Sequence, residues 1–337
     1  MTSAEPLRFC VVGYGSIGRR HAANALSLGS DAFFLRSGEA VEGRPRLEKQ
    51  IPVVFDRADV AALNPDAVIV ANPTFLHLET TRWALEQGFD VLIEKPLSHS
   101  VAGLSKLHSL AREQNAIVGV AHQMRFDKRL LRMKEVLDSG AIGQVTTAHV
   151  EWGTHLPDWH PWEDYRTGYA ARRDMGGGVT LTCSHELNTA EFLFGKIEEV
   201  LGQRRKLESL QLDAEGCMDG LLSHEGGCTT LLHLDFFQKP NRRRIRAIGE
   251  LGSVVWDFEE PNLEITADCA VTEDGDFPSP YPFEDDYIGM LADFSDAVRD
   301  RKDPLVTLTE GERTTRVALA LLESAETNSM IKLPRSI

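Results

Sequence analysis

Two patterns alternate over the first 122 residues. Short apolar runs at 7–12, 32–35, 53–55, 66–71, 91–94 and 117–121 predict six strands. Between them the apolar residues recur at helical spacing. Gly18, Ala22, Ala25 and Leu26 share one face of a helix that Gly29 ends, and Thr74 is placed to cap a helix carrying His77, Trp83 and Leu85. A further helix opening at Ser98 puts Val101, Leu104, Leu107 and Ala111 on one face. Strand and helix in alternation predict an α/β fold with a doubly wound parallel sheet.

Beyond residue 122 the texture changes. A helix over 130–137 is stopped by Ser139-Gly140, and runs at 145–152, 217–223, 228–236, 242–248, 253–258 and 263–266 are joined mostly by turns. That spacing predicts a mainly antiparallel sheet, and so an α+β second part. A helix from Val179 to Phe194 and two more over 284–300 and 309–327 complete the pattern. The 337 residues suit two domains, 1–122 and 123–337.

The run Val91-Leu92-Ile93-Glu94-Lys95-Pro96 is the most informative stretch. Three branched apolar residues read as a strand buried on both faces, and Pro96 ends it. Glu94 and Lys95 then stand at the carboxyl end of a strand, the edge where open parallel sheets bind ligands. Gly13-Tyr14-Gly15-Ser16-Ile17-Gly18 lies between the first strand and the first helix. There Gly13 permits a tight turn, Gly15 lets the backbone approach a pyrophosphate, and Gly18 lets the helix lie on the strand. The helix amino terminus, with Ser16 and Ile17, offers N–H groups to the phosphates. The first 122 residues therefore read as a dinucleotide-binding domain.

Residues 153–178 form a connection too long to be a mere link. It holds His155, Asp158, Trp159, His160, Trp162, Asp164, Tyr165, Arg166, Tyr169, Arg172 and Arg173. Such aromatic and basic residues suit a polyhydroxylated or anionic ligand, and they equally suit a flap held down by its own tryptophans. His155, Asp158 and His160 lack the further ligand pattern of a metal site, so no metal is expected.

Charge and composition narrow the partners. A formal charge of -15 and a pI of about 5.2 exclude a nucleic-acid backbone or an anionic membrane surface as the natural partner. Cys10, Cys183, Cys217, Cys228 and Cys269 show no metal-type spacing and read as free thiols of a reducing compartment. With no signal-like or membrane-length apolar run, a cytoplasmic enzyme is expected.

The Gly13-x-Gly15-x-x-Gly18 turn, Ala71-Asn72-Pro73-Thr74-x-x-His77, Glu94-Lys95-Pro96, and the run Gly176-Gly177-Gly178 followed by Ser184-His185 together resemble the glucose-fructose oxidoreductase and inositol dehydrogenase (Gfo/Idh/MocA) family. The resemblance implies a Rossmann domain followed by an α+β domain with an open sheet, assembled as a homodimer or homotetramer. It implies an NAD(P)-dependent oxidoreductase acting on a secondary alcohol or ketone of a sugar derivative: a sugar, amino sugar, nucleotide sugar or acidic sugar. By that likeness Lys95 would hydrogen-bond the reacting hydroxyl, Glu94 would meet the nicotinamide ribose, and His185 would exchange the substrate proton. Asn72, Pro73, Thr74, His77 and Gln123 join the cofactor-binding set. Arg125, His155, Trp159, Tyr165 and Arg166 join Lys95 and His185 around the substrate. Many members carry an aspartate four residues before the histidine, where this chain has Leu181; Glu186 is a candidate substitute.

Arg36 and Ser37 follow the second strand, where an acid would grip the ribose hydroxyls of NAD. A guanidinium and a hydroxyl suit a 2'-phosphate instead, so NADP(H) is expected over NAD(H), the alternative cofactor. Two other functions use the same residues: redox-neutral hydrolysis of glycosides with NAD held bound, and dinucleotide-dependent binding without catalysis.

Overall fold

The computed structural model describes residues 5–36, 51–267 and 270–334. Two compact units emerge. The first holds the chain as far as Gln123 together with Tyr287–Glu312, and the second comprises Met124–Asp286 and the chain from Arg313 onward. No helix among the described residues is long and apolar enough to cross a membrane.

In the first unit β1 (Arg8–Val12), β2 (Asp31–Leu35), β3 (Val53–Val54), β4 (Ala67–Val70), β5 (Asp90–Glu94) and β6 (Val118–Ala121) form a parallel sheet in the order β3-β2-β1-β4-β5-β6. α1 (Ser16–Ser27), α2 (Arg57–Leu63), α3 (His77–Glu86) and α4 (Leu104–Glu113) supply the crossovers. The central strands are buried on both faces, as their unbroken apolar runs require. Cys10, Val68, Val91 and Ile93 pack with Leu85, Leu104 and Leu107 in one core. α4 starts at Leu104, later than the pattern predicts. Ser98 Oγ accepts from Ser100 N, Ser100 Oγ accepts from Ala102 N, and Gly103 takes φ +90°. These serine turns hold Val101 outside the helix and 44% exposed.

The segment Tyr287–Glu312, which the division at 122/123 assigns to the second domain, packs in the first unit. It closes the β6 edge, with Val120 N donating to Val306 O at 3.1 Å. Gly119 leaves the room: a Cβ there would stand 3.3 Å from Phe294 and Pro304.

The second unit carries nine strands in the order β14-β13-β12-β11-β7-β10-β9-β8-β15. These are β7 (Val145–His155), β8 (Ile197–Arg205), β9 (Cys217–His224), β10 (Thr229–Asp235), β11 (Phe237–Gly249), β12 (Gly252–Asp257), β13 (Leu263–Ala267), β14 (Ala270–Asp274) and β15 (Ile331–Lys332). The pairing is antiparallel except between β7 and β10, which run parallel. Its helices are α5 (Lys128–Asp138), α6 (Val179–Thr182), α7 (His185–Phe194) and the carboxyl-terminal part of α9 (Leu308–Thr327); α8 (Glu284–Asp300) begins here and continues in the first unit. Leu187, Ala190, Val317 and Leu321 share a core with Val150, Met218, Leu222 and Leu232. Residues of opposite parity face away from it. Leu201, Leu221, Leu231 and His149 are cross-strand neighbours in one row, and the three leucines are 36–43% exposed.

Candidate active site

The glycine turn is built for close approach. Gly13 takes φ +117°, and a Cβ on it would lie 2.5 Å from the Ala71 carbonyl oxygen; one on Gly18 would lie 2.3 Å from Gly13 O. Gly15 faces open space, with nothing within 4 Å of a Cβ position. It is the N-cap of α1, no side chain caps that helix, and the first turn carries no acid. A pyrophosphate fits here, since the positive end of a twelve-residue helix around Ser16 and Ile17 meets, among the described residues, open space at Gly15.

Arg36 leaves β2 with its N–H on Val54 O. Its guanidinium lies 5.0 Å from the ring centre of Tyr14 and 5.9 Å from that of Phe55. Tyr14 in turn packs edge-on against Phe34. The aromatic shelf fixes the guanidinium beside the glycine turn. Ser37 lies outside the described residues.

At the end of β4, Asn72 donates from Nδ2 to Thr80 Oγ1 at 2.8 Å. His77 is 2% exposed, with Nε2 2.8 Å from Asn72 O and Nδ1 2.9 Å from Pro96 O. A neutral ring carries one N–H, so it donates to one of these carbonyls at a time. Burial pulls the imidazole below its ordinary pKa, while the two carbonyls and the nearby Glu94 oppose that. His77 therefore ties the turn after β4 to the turn after β5 from beneath, instead of presenting a ring nitrogen to a ligand. Thr74 opens a short 3-10 turn, Thr74–Leu76, and does not cap a helix with its side chain; α3 starts at His77.

Glu94 and Lys95 stand at the carboxyl end of β5. Glu94 is 6% exposed, its Oε1 2.7 Å from His21 Nε2, and its Oε2 accepts the Lys95 backbone N–H at 3.1 Å. Burial alone would push the carboxyl up, yet the His21 hydrogen bond and charge, with Lys95 and His77, hold it below the usual glutamate range. His21 escapes the sequence pattern. A fully buried histidine on the small-residue face of α1 reads as core, and only the fold shows that it meets Glu94.

In the second unit the predicted helix from Val179 breaks at Cys183-Ser184 into α6 and α7, so His185 is the first residue of α7, 3% exposed. Gly178 precedes α6 at φ +101°. Glu215 holds the start of α6: its carbonyl accepts from Val179 N at 3.0 Å and its Oε1 from Thr180 N at 3.1 Å. A Cβ on Gly178 would strike that carboxylate at 2.3 Å. Glu186, the candidate substitute for the missing aspartate, accepts from Arg243 Nε at 2.6 Å, and Arg243 lies 4.4 Å from the centre of the Trp152 ring. Leu181 is buried in the core.

The connection 153–178 is a folded flap. Trp159 stacks on Trp152, meets Phe236 edge-on and donates from Nε1 to Thr154 Oγ1. Tyr165 donates to Leu210 O. Arg166 pairs with Asp164 and donates to Gln211, while Arg172 pairs with Asp174. His155 and Lys239 both pair with Asp158. Trp159, Tyr165 and Arg166 thus serve the flap's own architecture. Gln123 and Arg125 are buried at 3% and 8%, and the Arg125 guanidinium lies 4.2 Å from the ring centre of Phe192.

Comparison with known proteins agrees with this geometry. Residues 7–122 match the model of an oxidoreductase family with an NAD-binding Rossmann fold, and residues 130–255 match the Gfo/Idh/MocA C-terminal domain. The myo-inositol 2-dehydrogenase of Thermotoga maritima is 26% identical, covering 98% of this chain and all of the relative. The scyllo-inositol 2-dehydrogenase (NAD(+)) of Bacillus subtilis is 25% identical over 97% of this chain and 96% of its own. A levoglucosan dehydrogenase solved with NADH and L-sorbose shares the fold, with a TM-score of 0.85 at 17% identity over 99% of this chain and all of that one. The chain belongs to the Gfo/Idh/MocA family and is an NAD-binding oxidoreductase.

Proposed function

We propose that this enzyme interconverts a secondary alcohol and a ketone on a sugar derivative or cyclitol, with NADP(H) preferred. The observation that carries the reading is Lys95. It stands on the turn after β5, and its backbone N–H is fixed by the same Glu94 carboxylate that His21 holds from α1, the helix of the glycine turn. The relatives named for inositols support a polyhydroxylated substrate.

When bound, the nicotinamide supplies the acceptor or donor for hydride. This chain's residues do the rest. Lys95 Nζ hydrogen-bonds the reacting oxygen and stabilises negative charge developing there, and His185 takes the hydroxyl proton in oxidation or returns it in reduction. The glycine turn and the amino terminus of α1 hold the pyrophosphate, and Arg36 meets the adenosine end. The exposed row Leu201, Leu221 and Leu231 supports a homo-oligomer joined through the open sheet face.

Lys95→Met tests the assignment. Turnover falls by about 100-fold or more, as for loss of an oxyanion donor, while cofactor affinity stays unchanged. Near-normal turnover would remove Lys95 from the chemistry. Product release with no net change in reduced-nicotinamide absorbance would replace the dehydrogenase with a redox-neutral reaction.

A further inference from the structure

The open face of the second unit's sheet brings together residues that lie far from any metal-type spacing in the chain. Cys217 and Asp219 alternate on β9, and His233 and Asp235 alternate on β10, with Asp219 opposite His233 and Cys217 opposite Asp235. The ligand atoms of Cys217, Asp219 and His233 all lie within 4.8 Å of one another. A tetrahedral zinc site separates its donors by about 3.3–3.8 Å, given bonds of about 2.0–2.3 Å. Donors as much as 4.8 Å apart close by about an ångström, while His233 Nδ1 and Asp219 Oδ1, 2.6 Å apart, open by less than that.

Asp235 makes the cluster more than a chance meeting. It is 1% exposed, and its Oδ1 accepts from the backbone N–H groups of Phe237 and Gln238, each at 2.8 Å. Its Oδ2 then takes the Nε2 side of His233 at 3.0 Å, leaving Nδ1 2.6 Å from Asp219 Oδ1. A buried carboxylate fixed by the backbone and holding the far nitrogen of an imidazole is the support that metal-binding histidines have. Gly153 permits it, since a Cβ there would lie 2.6 Å from Asp235 Oδ2.

We propose that Cys217, Asp219 and His233 bind a divalent transition metal ion of the zinc class, with water as fourth ligand and Asp235 orienting the imidazole. One nitrogen, one oxygen and one sulfur donor suit such an ion and not magnesium or calcium. Arg205 occupies the position now, donating to Cys217 Sγ at 3.2 Å and to Asp219. Its side chain is 52% exposed in the single chain, so it is free to turn aside from the cluster as the ion enters. The thiol proton, and any proton on Nδ1, leave to solvent. The site lies on the sheet face opposite the core that holds α7, so its role is to lock β9 to β10, separate from the redox chemistry.

Titration of the metal-free protein with Co2+ tests this. A sulfur-to-cobalt charge-transfer band in the near-ultraviolet saturates at one equivalent and is reversed by Zn2+. The band vanishes in Cys217→Ser and His233→Asn, affinity falls about 10- to 100-fold in Asp235→Asn, and turnover in Cys217→Ser is unchanged. Arg205→Gln, at an exposed position, strengthens binding by removing the competing cation. Absence of the band in the parent protein, its survival in Cys217→Ser, or unaltered affinity in Arg205→Gln would each overturn the proposal.

Discussion

Replacing His21 with leucine isolates the buried contact behind Lys95. The substitution keeps volume but removes the donor 2.7 Å from Glu94 Oε1, inside a site where His21 is 0% and Glu94 6% exposed. A buried charge stripped of its partner costs about 3–5 kcal/mol. Glu94 has one escape, which is to take up a proton. From the ordinary value of 4.5, neutralising it at pH 7 costs about 3.5 kcal/mol, from 2.5 pH units at about 1.4 kcal/mol each. Beyond the loss of the His21 contact itself, the cost of the stranded carboxyl is therefore capped at about 3.5 kcal/mol at pH 7 and about 1.4 kcal/mol at pH 5.5. The sign follows from linkage. In the parent, Glu94 is held below its ordinary range, so its stabilisation is present above the unfolded value and lost as pH falls through the folded one. In the variant the folded carboxyl is raised, so stability falls as pH rises, and the two curves diverge toward alkaline pH. Urea unfolding from pH 5.5 to 8 measures the gap. The double variant His21→Leu with Glu94→Gln recovers most of the loss, because no charge is left buried. A gap that does not change with pH, or a double variant as unstable as the sum of the singles, would refute the reasoning.

Other consequences are simpler to check. Arg36→Ala lowers kcat/KM with NADP(H) by about 10- to 100-fold and leaves NAD(H) nearly untouched; steady-state kinetics with both cofactors decides, and an NADP preference surviving the change would acquit Arg36. Burial, with Asp127 nearby, pushes the Asp286 carboxyl up to about 7, so its neutral form suits the fold and stability is lost as pH rises through that value. Asp286→Asn keeps an acceptor for the Tyr281 hydroxyl and raises the urea midpoint more at pH 8 than at pH 5, and hardly at all near pH 3.5, below the ordinary value of 3.8. Leu231→Glu, which places a charge in the exposed leucine row, tests the proposed homo-oligomer: light scattering is expected to read a larger species for the parent and monomers for the variant, with the fold retained by circular dichroism, and equal masses for the two would refute it.

What was legible in the chain depended on how local its cause was. The glycine turn, the six strands of the first sheet and the strand ending at Glu94 follow from short-range pattern, because a fully buried strand must be an unbroken apolar run. β8 was not legible: its exposed face carries Glu199, Gln203 and Arg205, and its register comes from β9. The break before His185 depends on Glu215, thirty-seven residues past Gly178 in sequence and against it in space. His21 and Glu94 stand 73 residues apart. Only strand pairing joins Cys217 and Asp219 to His233, so a rule of spacing along the chain passes over them. In the flap, pattern marked the aromatics and arginines, but composition does not say whether such residues face a ligand or each other.

The strap that closes β6 gives the polypeptide an order of completion on the ribosome. The parallel sheet emerges before the second unit, yet its last strand has an uncovered edge until Val306, 186 residues further along, is available to pair with Val120. The second unit has by then exposed most of its own strands. Vectorial synthesis therefore finishes the cofactor-binding unit late, and a fragment cut after Gln123 presents a bare strand edge to other chains.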